Sequence, residues 1–343
     1  MKVLSVVGNR PQFVKSGPVS AALRAAGIEE VGLHTGQHWD PDLSDVFYDE
    51  LGLPEPRYRL DLHTADAETM RPAIAAALAE ERPDWTLVFG DTNSTLAGAQ
   101  AAEDAGVPSA HVEAGLRSGD LSMPEEHNRI AVDAMAELLL CPNERSRETL
   151  VAEGVSGRIE VVGDVMRDAL DLFLPIATRT PTPYPQPYAV LTLHRAANTE
   201  PEQLRRIVSE VTATGWSFVF PIHPRTRHVL DGHGIRLAPT VRSIAPVGYL
   251  EMLSLVAGAS RVVTDSGGLQ KEAYWLGVPC ITLRPSTEWV DTVRVGANVL
   301  VDPADPRELG RALTDARFPA DAPPLYGDGH AAERVAASLA DRV

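Results

Sequence analysis

Short apolar runs separated by amphipathic stretches recur along the whole chain, and this rhythm restricts the possible folds more than any other feature. Val3 to Val7, Trp85 to Phe89, Ser109 to Val112, Glu137 to Leu140, Ile159 to Val162, Ala189 to Leu193, Ser217 to Pro221, Arg261 to Thr264 and Cys280 to Leu283 read as buried parallel strands. Between them, Lys15 to Ala26, Thr69 to Glu81, Thr95 to Ala105, Glu126 to Ala136 and Glu202 to Thr214 are long enough to be right-handed crossover helices. The alternation predicts βαβ units and an α/β fold. At 343 residues the chain exceeds the size at which one core keeps growing, so two domains are expected. Pro181, Pro183, Pro185 and Pro187 nearly alternate, which suits neither a helix nor a central strand. They mark 175–187 as a linker between a Rossmann-like domain over 1–174 and a second over 188–343, whose last helix can pack back on the first. Two such doubly wound domains are expected to face each other across a cleft, with ligands beyond the carboxyl ends of the strands.

Charge and cysteine content narrow the chemistry. A formal net charge of −16 argues against nucleic acid or an acidic membrane surface as partner. Cys141 and Cys280 are the only cysteines and sit in apolar sequence, so neither a disulfide framework nor a zinc ligand set is expected. No segment has the length and apolarity of a signal peptide or membrane span, which predicts a cytoplasmic protein.

Polar clusters follow the expected strands. Thr264-Asp265-Ser266-Gly267-Gly268-Leu269-Gln270-Lys271-Glu272 ends one strand and begins a helix with two glycines. Unpaired N–H groups at such a helix start favour an anion, and the glycines let a phosphate approach closely. Glu272 is then placed to accept hydrogen bonds from ribose hydroxyls. An ordinary Asp/Ser cap fits that segment equally well. Arg10 and Lys15 lie in the first strand-to-helix turn and can contact phosphate or carboxylate. Asp91 follows the next strand, where a simple N-cap is the competing reading. Glu113 and the Glu125-Glu126 pair complete three acidic clusters in the first half, where like charges would separate pKa values into acid and base roles. His194-Arg195 and His223-Pro224-Arg225 follow strands of the second half and suit a pyrophosphate. The spacings match no metal motif.

Taken together, GNRPQFVK, TGQH, GDTNSTLAGA, HVEAGLRSGDLSMPEEHNR, VVGDVMRD, LHRAANT, PIHPRT, TDSGGLQKEA, LRPSTEW and LYGDG resemble the UDP-N-acetylglucosamine 2-epimerase family over nearly the whole chain. GDTNST, MPEEHNR and TEW look most like the branch with epimerases of 2,3-diacetamido uronic acid nucleotides. The resemblance implies the GT-B type architecture shared with many nucleotide-sugar glycosyltransferases, no cofactor, a UDP-sugar substrate and a homodimer. It further implies that Asp91, Glu113, Glu125 and His194 act in catalysis. Arg10 and Lys15 would contact substrate, His223, Ser266, Gly267 and Gly268 the diphosphate, and Glu272 the ribose. Met252 and Trp289 depart from the family's usual aromatic and arginine. A hydrolysing 2-epimerase, a GT-B glycosyltransferase and a non-catalytic nucleotide-sugar binder are the competing functions.

Overall fold

The computed structural model describes residues 1–38, 48 and 51–341, and the chain divides into two compact units, Met1–Phe173 with Tyr326–Val343, and Leu174–Leu325. In the first unit, β1 (Lys2–Val7), β2 (Glu29–His34), β3 (Tyr58–Arg59), β4 (Trp85–Phe89), β5 (Ser109–Val112), β6 (Leu138–Cys141) and β7 (Arg158–Val161) form one parallel sheet in the order β3-β2-β1-β4-β5-β6-β7. Its helices are α1 (Arg10–Ala25), α2 (Ala67–Glu81), α3 (Asn93–Ala105), α4 (Pro124–Met135), α5 (Glu144–Glu153) and α6 (Val165–Ala177), the last running on into the second unit's residues. Leu4, Val6, Leu33 and Val88 from the strands pack with Met70, Ile74, Ala97, Ala101 and Val132 from the helices, all buried. Burying each larger side chain of this set stabilises the fold by roughly 1.5–3 kcal/mol.

In the second unit, β8 (Ala189–Thr192), β9 (Phe218–Pro221), β10 (Val241–Ile244), β11 (Arg261–Thr264), β12 (Cys280–Thr282) and β13 (Asn298–Leu300) are parallel in the order β10-β9-β8-β11-β12-β13. Its helices are α7 (Ala196–Thr199), α8 (Pro201–Ala213), α9 (Pro224–Gly232), α10 (Tyr249–Ala257), α11 (Gly267–Trp275), α12 (Val290–Arg294) and α13 (Leu309–Asp315). Alternate residues feed two cores: Leu191, Phe218, Phe220 and Val263 face one layer, while Val190, Val219 and Val262 face the other. A sheet covered on both faces explains why these strands read as continuous apolar runs. The last helix, α14 (Ala331–Ala340), belongs to the first unit, where Ala331 and Ala332 donate backbone N–H groups to Asp168. Both cysteines are buried and unoxidised, and burial pushes both thiols up to about 12.

Strand order reverses between β1 and β4 in one sheet and between β8 and β11 in the other. These are the positions where an open α/β sheet leaves a crevice at its carboxyl edge.

Candidate functional site

At the first reversal, β1 runs into Gly8-Asn9 and then directly into α1, which starts at Arg10, five residues before the expected start at Lys15. Asn9 is the N-cap, accepting from the Gln12 N–H, and Pro11 sits in the first turn. Arg10 and Lys15 are therefore helical. Gln12 ties the two sides of the reversal together. Its carbonyl accepts from Gly8 N (2.7 Å), and its amide donates to the Phe89 carbonyl (2.8 Å) and to Thr95 (2.9 Å). A side chain at Gly8 would lie 2.1 Å from Ser94 Oγ and 2.2 Å from Thr35 Oγ1, so only glycine fits this crossing.

Glu113, Asp91 and Glu126 each have a cation. Lys15 Nζ lies 2.5 Å from Glu113 Oε2, each side chain 10% exposed. Burial alone would depress the Lys15 ammonium, but Glu113, with Asp91 and Asp164 at longer range, reverses that and raises its pKa. Asp91 pairs with Arg129 of α4, and Arg129 also holds Glu126 at 2.9 Å. The expected cluster of mutually repelling carboxylates is thus an alternation of charges. Asp91 is not the cap: α3 is capped by Thr92, whose box partner is Thr95. Arg10 donates its backbone N–H to His38 (3.4 Å), whose pKa falls through burial and then the Arg10 charge.

The acidic pair on α4 splits. Glu126 is buried and accepts from Ser118 N (3.0 Å), Ser118 Oγ (2.9 Å) and Gly119 N (3.0 Å). Burial opposes the charged form, but these donors and Arg129 outweigh it, so the Glu126 pKa is lowered. Glu125 is exposed in the first turn of α4. Glu113 has φ +74°, a left-handed backbone that side chains other than glycine rarely adopt. Its N–H and that of Ala114 both donate to the Leu140 carbonyl of β6, which holds the turn in place.

At the second reversal, one carboxylate organises the site. Asp265 is 0% exposed, pairs with His194 Nδ1 at 2.7 Å, and accepts from His194 N (3.0 Å), Arg195 N (3.0 Å) and Asn198 Nδ2 (3.1 Å). Burial works against its ionisation, but the His194 hydrogen bond and charge, with the Arg195 and His194 backbone N–H groups, lower its pKa. The His194 ring is therefore held through Nδ1, while its side chain remains 41% exposed. His223 caps α9, accepting from Arg225 N, and its ring centroid lies 6.1 Å from that of His194. Arg225 Nη1 reaches the His194 carbonyl at 3.3 Å.

Ser266, not Asp265, is the N-cap of α11, and its hydroxyl makes no capping bond. The N–H groups of the first turn, at Gly267 and Gly268, have no intrahelical acceptor, which suits an anion. A Cβ at Gly267 would meet Glu288 Oε1 at 2.7 Å. Glu288 is buried in an ion pair with Arg284 (3.0 Å), and Lys271 stands 3.9 Å from the Trp289 ring centroid. Trp289, where the family usually has arginine, thus packs against a buried cation. Glu272 is buried on α11.

The structure therefore joins Lys15 with Glu113 and Asp91 with Arg129 in the first unit, and His194, His223 and Asp265 beside the α11 start in the second. Sequence reasoning passed over Arg129, Asp133 and the orienting role of Asp265. Arg129 closes the MPEEHNR segment, but its spacing names no partner, and Asp133 lies further along α4 outside every quoted motif; their partners Asp91 and His111 lie far along the chain. Among the described residues, no group of His, Cys, Asp and Glu could hold a metal ion, and no helix is long and apolar enough to cross a membrane.

The sequence pattern of the UDP-N-acetylglucosamine 2-epimerase family matches residues 21–340. The chain is 44% identical, over 99% of both sequences, to the UDP-2,3-diacetamido-2,3-dideoxy-D-glucuronate 2-epimerase of Pseudomonas aeruginosa. It is 39% identical, over 88% of both, to the UDP-N-acetylglucosamine 2-epimerase of Methanocaldococcus jannaschii. The crystal structure of the Methanocaldococcus jannaschii UDP-GlcNAc 2-epimerase in complex with UDP-GlcNAc and UDP is similar with a TM-score of 0.92 and 36% identity, covering 99% of each chain.

Proposed function

The chain belongs to the UDP-N-acetylglucosamine 2-epimerase family, and we propose that, as an isomerase of UDP-sugars, it interconverts UDP-N-acetylglucosamine and UDP-N-acetylmannosamine. The observation that carries this reading is a likeness of sequence and fold that runs the length of the chain.

The C2 proton of a 2-acetamido sugar is not acidic, because no carbonyl adjoins that carbon. Loss of UDP first makes C1 cation-like and acidifies the neighbouring C–H. The C1–O bond breaks with its electron pair going to UDP, a carboxylate takes the C2 proton, and a C1=C2 bond forms, giving 2-acetamidoglucal. A proton delivered to the opposite face of C2, with the UDP oxygen returning to C1, completes the inversion. In this reading Asp91, Glu113 and Glu125 are the candidates for moving protons. Cationic and N–H groups at Arg10, His223 and Ser266 to Gly268 stabilise the departing diphosphate, with His194 as clamp or proton donor. Lys15 keeps Glu113 charged, ready to accept a proton, and Glu272 takes the ribose.

A second substrate, a UDP-2,3-diacetamido uronic acid, is favoured by the greater identity and coverage of the Pseudomonas aeruginosa relative. Incubation with each nucleotide sugar in D₂O, followed by proton NMR, tests both. Deuterium at C2 of a UDP-linked product epimeric at that carbon supports epimerisation, and the ratio of kcat/KM between the two sugars names the substrate. Free sugar would replace the reading with hydrolysis; unchanged substrate in both reactions would reject it.

A further inference from the structure

Behind the acid turns of the first unit lies a buried network that the reaction scheme leaves unused. His111 of β5 is 0% exposed, and so is Asp133 of α4. His111 Nδ1 lies 2.7 Å from Asp133 Oδ1, and His111 Nε2 lies 2.7 Å from the carbonyl oxygen of Gly90, the residue before Asp91. The other oxygen of Asp133 accepts from Gly115 N (3.1 Å), two residues after Glu113, and from Arg117 Nη1 (2.8 Å). Arg117 is in turn held by Glu153 of α5. One helix carboxylate therefore grips the Glu113 turn directly and, through an imidazole, the turn that carries Asp91.

We propose that Asp133 and His111 act as one positioning device that sets the two acids against each other. A carbonyl can only accept, so Nε2 donates to Gly90. Asp133, already taking two donors on Oδ2, accepts from Nδ1. Both ring N–H groups are thereby committed, one to each side, which no other side chain of this size reproduces. The backbone benefits at its weakest points: Gly90 has φ +67°, Glu113 φ +74° and Gly115 φ +79°. Of the three only Glu113 is not glycine, and a left-handed position of that kind holds its shape only when its surroundings over-determine it. Neither residue touches the reacting sugar in this scheme, so both are positioning residues. A shift of about 1 Å in a catalytic group can cost about 10²-fold in rate.

This proposal rests on the 2-epimerase reading, and its test is built to fail separately. Turnover and KM are measured for wild type, Asp133→Asn, His111→Gln and the double variant, with folding checked by circular dichroism. Each single change is expected to lower kcat about 10²-fold while KM for the nucleotide sugar stays near wild type. The double variant is expected to be no slower than the worse single, because a shared device is lost only once. Costs that multiply, losses confined to KM, or folded variants with wild-type kcat would overturn the proposal. Wild-type protein labelled with ¹⁵N-histidine supplies the reading that needs neither turnover nor a folded variant. Both His111 ring nitrogens should show exchange-protected N–H signals bonded to their partners, Asp133 and the Gly90 carbonyl, and a ring bonded through one nitrogen alone would overturn the bridge. A wild-type chain that epimerises neither sugar would end the functional reading, with the ring signals still deciding the network.

Discussion

The two strand-order reversals solve the same problem with different materials. In the first unit, acids and cations alternate: Lys15 with Glu113, Arg129 between Asp91 and Glu126, and Arg117 on Asp133. In the second, Asp265 beneath the His194 turn is satisfied by two backbone N–H groups, an amide and an imidazole. A carboxylate beside a cation is kept charged and can take a proton when that balance is disturbed. Backbone N–H groups cannot titrate, so an edge built from them suits the holding of an anion whose charge must not change. Under the proposed function, the contrast gives proton movement to the first unit and diphosphate retention to the second.

The largest expected effect breaks the contrast from the first side. Asp91→Asn and Glu113→Gln should each lower kcat by about 10²–10⁴-fold, the usual contribution of a general acid or base. UDP affinity, measured by calorimetry, should stay near wild type because the α11 start is untouched. Equal losses of kcat and UDP affinity would show that the two edges do not divide the work.

The converse change is Gly267→Ala. Its methyl group would press on Glu288 at 2.7 Å, and Glu288 cannot swing away cheaply because Arg284 holds it in a buried pair. Overpacking of this kind costs about 1–3 kcal/mol. UDP affinity should fall, while kcat at saturating substrate changes far less than in the acid variants. A variant that binds UDP normally but turns over slowly would reverse the assignment.

Legibility in the sequence followed burial and distance along the chain. The central strands were readable because both faces of each sheet are covered. β2, β3, β10 and β13 were not: all lie at or beside sheet edges, β13 is only three residues long, and the others carry exposed polar residues, such as Glu29 in β2 and Arg242 and Ser243 in β10. The start of α1 did have a signal, in Asn9 followed by Pro11, but the amphipathic pattern outweighed it. The acids teach the same point twice. Asp91 and Asp265 each follow a strand and look like caps, yet in each case the next residue, Thr92 or Ser266, caps the helix. The aspartate is thereby released to a partner far away, Arg129 in one unit and His194 in the other. Local spacing finds such a residue but cannot name its partner.

A smaller effect separates the units by pH. The folded pKa of Asp265 is lowered, so its contribution to stability is present above its unfolded value of about 3.9 and is lost as pH falls through the folded one. Amide exchange along β8 and β11 should therefore accelerate in acid, and Asp265→Asn should flatten that dependence while raising exchange at neutral pH. Unaltered exchange in the variant would mean that Asp265 does not hold the second edge together.

The smallest effect lies at the other end of the scale. Lys15 has a raised pKa, so its stabilising pair with Glu113 is fully present below the unfolded lysine value of about 10.4 and is lost as pH rises through the folded value. Exchange along β1 and β5 should accelerate only in strong alkali, and Lys15→Met should abolish that limb without changing exchange in β8 or β11. The pair must survive neutral pH for Glu113 to await substrate as a carboxylate. If the β1 and β5 peptides of the wild type loosened well below that alkaline range, Lys15 could not be the group that keeps Glu113 charged, and the ionic character assigned to the first edge would lose its main support.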